Sequence, residues 1–108
     1  MTAEHEYTGS LPRFMDIEPA TLGHAQIVVL HHPRSYGAEV LWTFSLTDRV
    51  GRPIARETVP VPTGDYFPQL AAEAHLHLVG LDVYGVWQRS RHGDDVRHYA
   101  LVGPASAS

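Results

Sequence analysis

The stretch Glu39–Thr47, EVLWTFSLT, decides the fold, because its apolar and polar side chains alternate along the chain. An alternation of period two is typical of a strand with one side against a core. The side expected to be buried carries Val40, Trp42, Phe44 and Leu46.

Further strands follow on both sides of this one. Ala25–His31 contains a run of bulky residues and ends before Pro33. Because the run is continuously apolar, it predicts a strand that is buried on both faces. Asp48–Pro53 predicts a hairpin loop in which Gly51 takes a positive φ. The remaining predicted strands are Ile54–Val61, Val83–Ser90 and Val96–Val102, the last two joined by a turn at Gly93-Asp94.

One long helix is predicted between about Tyr66 and Val79, with Asp65 as its N-cap and Gly80 as its end. At about 100° per residue, one apolar stripe should face the sheet. That stripe consists of Phe67, Leu70, Ala71, Ala74 and Leu78, whereas Ala72, Leu76 and Val79 lie off it.

The element order is therefore βββαββ. It predicts a two-layer α+β domain, with a mainly antiparallel sheet of about five strands and one amphipathic helix packed on one face. The domain should span residues 11–104, between a flexible segment 1–10 and a flexible tail 105–108. Leu11–Leu22 has room for a short turn of helix or for an extended arm.

Composition limits the classes of function. A chain of 108 residues with 44% hydrophobic and 19% charged residues is typical of one globular domain. The absence of cysteine excludes disulfides, thiolate nucleophiles and cysteine-based metal sites. No apolar run is long enough for a bilayer crossing, and the acidic start MTAEHEY does not resemble a secretory signal, so we expect a cytoplasmic protein.

The eight histidines suggest metal binding at first sight. His75 and His77, however, point roughly 200° apart on a helix and would not share an ion. A site built from distant residues, such as His31, His98 and an acid, stays open at this point. We predict no metal site and no cofactor.

The C-terminal hairpin carries a mixture of arginine and aromatic residues that is typical of binding surfaces. We predict a binding site there, made by Trp87, Arg89, Arg91, Arg97, His98 and Tyr99. Protein–protein contact is the favoured interpretation. Single-stranded nucleic acid is the alternative, although the net charge of −4 opposes it.

No catalytic signature stands out. The chain contains no G-x-S-x-G, no phosphate-binding loop and no dinucleotide fingerprint. We therefore expect a protein without catalytic activity. A small enzyme, or a carrier with a pocket between helix and sheet, is a further alternative.

The number of aromatic residues points to a second covering layer. One helix covers one face of a sheet, and the chain offers more aromatic surface than a single helix is expected to bury: Tyr36, Trp42, Phe44, Tyr84, Trp87 and Tyr99. The leading hypothesis is a protein-binding module whose open sheet surface meets a second copy in a homodimer.

Overall fold

A computed structural model describes residues 11–36, 39–62, 68–92 and 95–105. Its elements are a 3-10 helix Phe14–Asp16, α1 Pro19–Leu22, β1 Ile27–Tyr36, β2 Glu39–Thr47, β3 Pro53–Pro62, α2 Pro68–Leu78, β4 Leu81–His92 and β5 Asp95–Pro104. The predicted α+β class and five-stranded antiparallel sheet are confirmed. The predicted N-cap Asp65, the turn at Gly93-Asp94 and segment 1–10 lie outside the described residues.

The strands form one sheet in the order β3-β2-β1-β5-β4. β1–β3 are a meander of consecutive antiparallel neighbours. After α2 the chain continues at the far edge as β4, and β5 then returns between β4 and β1. β1 is therefore the central strand, and its Leu30 pairs with Phe44 of β2 and with His98 of β5.

The core lies between α2 and one face of the sheet, which we call the helix-side face. Alternate residues of each strand point to this face. Its fully buried side chains include Val28, Leu30, Phe44, Leu46 and Ala55 from the sheet, and Ala72 and Leu76 from α2. Removing a side chain of this size from water stabilises a fold by about 1.5–3 kcal/mol.

The predicted buried stripe of α2 is wrong for Leu70, Ala74 and Leu78, whereas Ala71 packs against the core and Phe67 lies outside the described residues. Leu70 and Leu78 are 62% and 64% exposed, whereas Pro68, Ala72 and Leu76 are buried. The helix is apolar on most of its circumference, so periodicity does not select one side. The polar contacts of the helix select the buried side. His75 contacts Glu57 of β3, and Glu73 accepts a hydrogen bond from Trp87 of β4.

The segment before β1 contains two short helical turns and is anchored in the core. Phe14 is only 1% exposed, and its backbone N–H donates to Glu57 Oε1 over 2.9 Å. The carbonyl oxygen of Pro12 accepts a hydrogen bond from the backbone N–H of Arg56. The segment therefore lies along the outer edge of β3.

The bounds of four strands differ from the prediction, and only β2 has the bounds expected. The largest differences are in β1 and β4. β1 passes Pro33 and ends at Tyr36, with a register shift between His31 and Arg34. Such a shift accommodates a proline that regular pairing would reject. β4 starts at Leu81 and runs to His92.

The turn before β3 has the predicted chemistry. Gly51 has φ +89°, as expected, and the Asp48 carboxylate accepts hydrogen bonds from the backbone N–H groups of Val50 and Arg52. These hydrogen bonds, that from Arg52 first, hold the pKa of Asp48 below its ordinary value. No helix in the described part of the chain is long and apolar enough to cross a membrane.

Candidate functional site: the open face of the sheet

The second face of the sheet, which we call the open face, carries the residues that alternate with the core. Because Val28 and Leu30 point to α2, Ile27, Val29 and His31 point the other way. In the neighbouring strands, the residues paired with each of these three form a row across the sheet. The rows are Thr47, Ile27, Leu101 and Tyr84; then Arg56, Ser45, Val29, Tyr99 and Gln88; then Thr58, Thr43, His31, Arg97 and Ser90.

Apolar and aromatic side chains occupy the centre of the open face. Leu101 is 59% exposed, Tyr84 50% and Tyr99 38%, and Ile27 and Val29 beside them are half-buried. A shallow depression of about 250 Å³ lies among them, lined by Ile27, Val29, Thr47, Ser90, Arg97 and Tyr99. The predicted burial of β1 on both faces is therefore wrong for this chain alone, since α2 covers only one of them.

The Tyr84 side chain is anchored at one end of the open face. Its hydroxyl donates to the carbonyl oxygen of Pro104, and its ring lies directly over Gly103. A Cβ at position 103 would come within 2.7 Å of the ring, so glycine is what allows this close approach. Tyr84 is half exposed at the end of the face where β4 begins.

Charge is distributed unevenly along the open face. His31 and Arg97 lie in the row farthest from Tyr84. Asp82 pairs with Gly103 at the Tyr84 end, where its carboxylate accepts a hydrogen bond from His77 Nε2 over 3.1 Å and one from the backbone N–H of Val83. The bond from His77 is the main reason that the pKa of Asp82 is below its ordinary value.

The residues predicted to bind a partner are divided between the two faces. Arg97 and Tyr99 lie on the open face, whereas His98 alternates with them and belongs to the helix-side face. Register places Arg89 beside His98, and Arg91 on the same side. The structure thus brings together two groups rather than the single predicted patch.

Trp87 belongs to the helix-side group. Its Nε1 donates to Glu73 Oε2 over 3.0 Å, and its ring packs against the core. Trp42, on the same face, lies 6.0 Å from His98 between ring centroids. Trp87 therefore connects α2 to β4, and its indole N–H is already engaged.

The histidines contact different acids. His75 Nε2 lies 3.2 Å from Glu57 Oε2, whereas His77 contacts Asp82. His31 and His98 point to opposite faces of the sheet, so the distant site suggested for them does not form. Within residues 11–36, 39–62, 68–92 and 95–105, no group of three potential ligands is close enough to hold a metal ion.

Sequence reasoning missed Ile27, Val29 and Leu101 as surface residues. Hydrophobicity alone assigns such side chains to a core, and only the pairing of β5 with β1 brings them together on one exposed face. The continuous apolar run in β1 was the available signal. It indicated a strand that needs cover on both sides.

No family model matches the chain, and no curated protein or solved structure matches it either.

Proposed function

We propose that this protein is a non-catalytic interaction module that works as a homodimer, in which the open faces of two copies pack against each other. The observation that carries the proposal is the central strand β1. It is apolar on both sides, yet α2 covers only Val28 and Leu30 and leaves Ile27 and Val29 facing outward. A second sheet would complete a sandwich and remove this surface from water.

The sheet edges are poorly suited to pairing with another chain. β3 carries Pro53, Pro60 and Pro62, and Pro12 already accepts a hydrogen bond at its outer side. β4 is interrupted by irregular pairing between Tyr84 and Gln88. These features leave the open face, rather than an edge, as the surface for association.

The size of the open face fits a stable dimer. The strands are 9 to 12 residues long. With strands about 4.8 Å apart and about 3.4 Å per residue, the five-stranded face covers about 700 Å². Two such faces would bury about 1,400 Å², within the range of about 1,200–2,000 Å² that is usual for specific interfaces.

Sedimentation equilibrium at micromolar concentration tests the dimer. We expect a mass of twice 12.0 kDa for the native chain. Leu101→Glu should give a monomer, because it places a charge in the centre of the interface. Leu70→Glu is the matched control, since Leu70 is 62% exposed, close to the 59% of Leu101, but lies on the outward side of α2.

Two results would contradict the proposal. One is a native chain that is monomeric throughout the micromolar range. The other is dissociation by Leu70→Glu as strong as that by Leu101→Glu, with folding verified by circular dichroism. A monomer that binds single-stranded oligonucleotides with a steep salt dependence would support the nucleic-acid alternative instead. Cytoplasmic location stays a prediction from the sequence.

A further inference from the structure

We infer that the two copies are related by a twofold axis that runs across the strands, so that Arg97 of each copy packs on Tyr84 of the other. This inference rests on the proposed dimer and adds its geometry. It follows from the polarity of the open face, which has Arg97 at one end and the Tyr84 ring with Asp82 at the other. Arg56 lies near the middle of the face, at the β3 edge.

The two ends lie at measurable positions along the strands. Arg97 and His31 pair with each other in the last row in which β1 pairs with β5. Tyr84 pairs with Leu101 four residues away along β5, and its ring extends one step further, over Gly103. The apolar centre lies between these ends, midway between the rows of Ile27 and Val29.

An axis across the strands through this centre exchanges the two ends. Ile27 then faces the partner's Val29, and Leu101 faces the partner's Tyr99. Arg97 faces the position of Gly103, where the partner's Tyr84 ring lies. An arginine over an aromatic ring is attractive, and Asp82 at the same end adds an opposite charge.

The other symmetric packing uses an axis parallel to the strands, between β1 and β5. It would bring the two Arg97 side chains to the same end, each opposite His31 of the other copy and away from the Tyr84 rings. Two arginines at one end repel each other, and the contacts with Tyr84 are lost. The charge pattern of the open face therefore selects the axis across the strands.

The chain has no cysteine, so single-cysteine variants report contacts without background. Ser90 and Asp82 lie at opposite ends of β4 on the open face. In the inferred dimer, Ser90 of one copy lies about one sheet spacing, about 10 Å, from Asp82 of the other. A short bifunctional thiol reagent should therefore join Ser90→Cys to Asp82→Cys when the two variants are mixed.

His31→Cys alone is the control for the alternative axis. In the inferred dimer its two copies are about 20 Å apart along the strands, so they should not be joined. Cross-linking of Ser90→Cys to Asp82→Cys, without cross-linking of His31→Cys to itself, supports the inference. Cross-linking of His31→Cys to itself overturns it. The inference also fails if the mixed variants do not react although sedimentation shows a dimer, and in both cases the proposed function still stands. A monomer in sedimentation overturns both.

A charge variant gives an independent measurement. Arg97→Glu should raise the dimer dissociation constant about tenfold or more, because it removes the contact with the Tyr84 ring and adds a charge near Asp82. Arg89→Glu is the matched control on the helix-side face and should change the constant less than twofold. Equal effects of the two variants would overturn the inference.

Discussion

At the scale of single residues, Glu57 holds together three parts of the molecule. Its carboxylate, 5% exposed, accepts from the backbone N–H of Phe14 and lies 3.2 Å from His75 Nε2 and 3.9 Å from Arg13. His75 stands between two acceptors, since its Nδ1 also contacts the carbonyl oxygen of Ala71.

Replacing Glu57 tests this contact. Glu57→Ala leaves the buried N–H of Phe14 without its acceptor and removes the contact of the half-buried His75 imidazole. We expect a loss of about 3 kcal/mol in the free energy of unfolding, measured by urea denaturation. Glu18→Ala, at an exposed site, should change it by less than about 0.5 kcal/mol. Equal effects would show that Glu57 has no special role.

The second residue-scale prediction concerns pH. The hydrogen bond from His77 holds the pKa of Asp82 below its ordinary value of 3.8. The ionised form of Asp82 is therefore more stable in the folded protein than in the unfolded chain. This stabilisation is present above that ordinary value and is lost as the pH falls through the lowered pKa. Asp82→Asn should therefore destabilise the protein at neutral pH and have a smaller effect near pH 3. Urea denaturation at both pH values measures this, and an effect that does not shrink in acid contradicts it.

At the scale of elements, α2 shows how contacts override a helical pattern. The stripe chosen from the sequence contained Leu70 and Leu78, whereas Leu76 is the residue that enters the core. Pro68, Ala72 and Leu76 are spaced by four residues and form an equally regular stripe. The acceptor on β3 and the indole on β4 decide between the two stripes.

Alanine substitutions on α2 distinguish them. Leu76→Ala should lower the free energy of unfolding by about 2–5 kcal/mol, because it leaves a cavity beside the sheet. Leu70→Ala should lower the free energy of unfolding by less than about 0.5 kcal/mol, because this side chain faces outward from α2. Thermal unfolding monitored by circular dichroism would show the opposite order if the stripe predicted from the sequence were the buried one.

At the scale of the whole molecule, the sheet has one covered face and one open face. At the centre of the covered face Val28, Leu30, Phe44 and Leu46 are fully buried. The open face has the same apolar centre but no covering layer among the described residues. The proposed dimer accounts for both facts, because the second copy covers the open face as α2 covers the helix-side face.

The candidate site was only partly accessible to sequence reasoning. Arg97 and Tyr99 were singled out from the composition of the hairpin, and both lie on the open face. Trp87 and His98 were grouped with them because they are close in sequence, yet neighbouring strand residues point to opposite faces. Their grouping depended on composition, whereas a surface is defined by register across strands.

The sequence by itself determined the local elements: the strands around Glu39–Thr47, the positive φ of Gly51 and the end of the helix at Gly80. These depend on backbone geometry and on residues only a few positions apart. Only the tertiary structure decided that β5 lies beside β1, which side of α2 is buried and which side chains form the open face. Those outcomes depend on contacts between residues that are far apart in the chain. A local sequence pattern does not contain the free energies of such contacts.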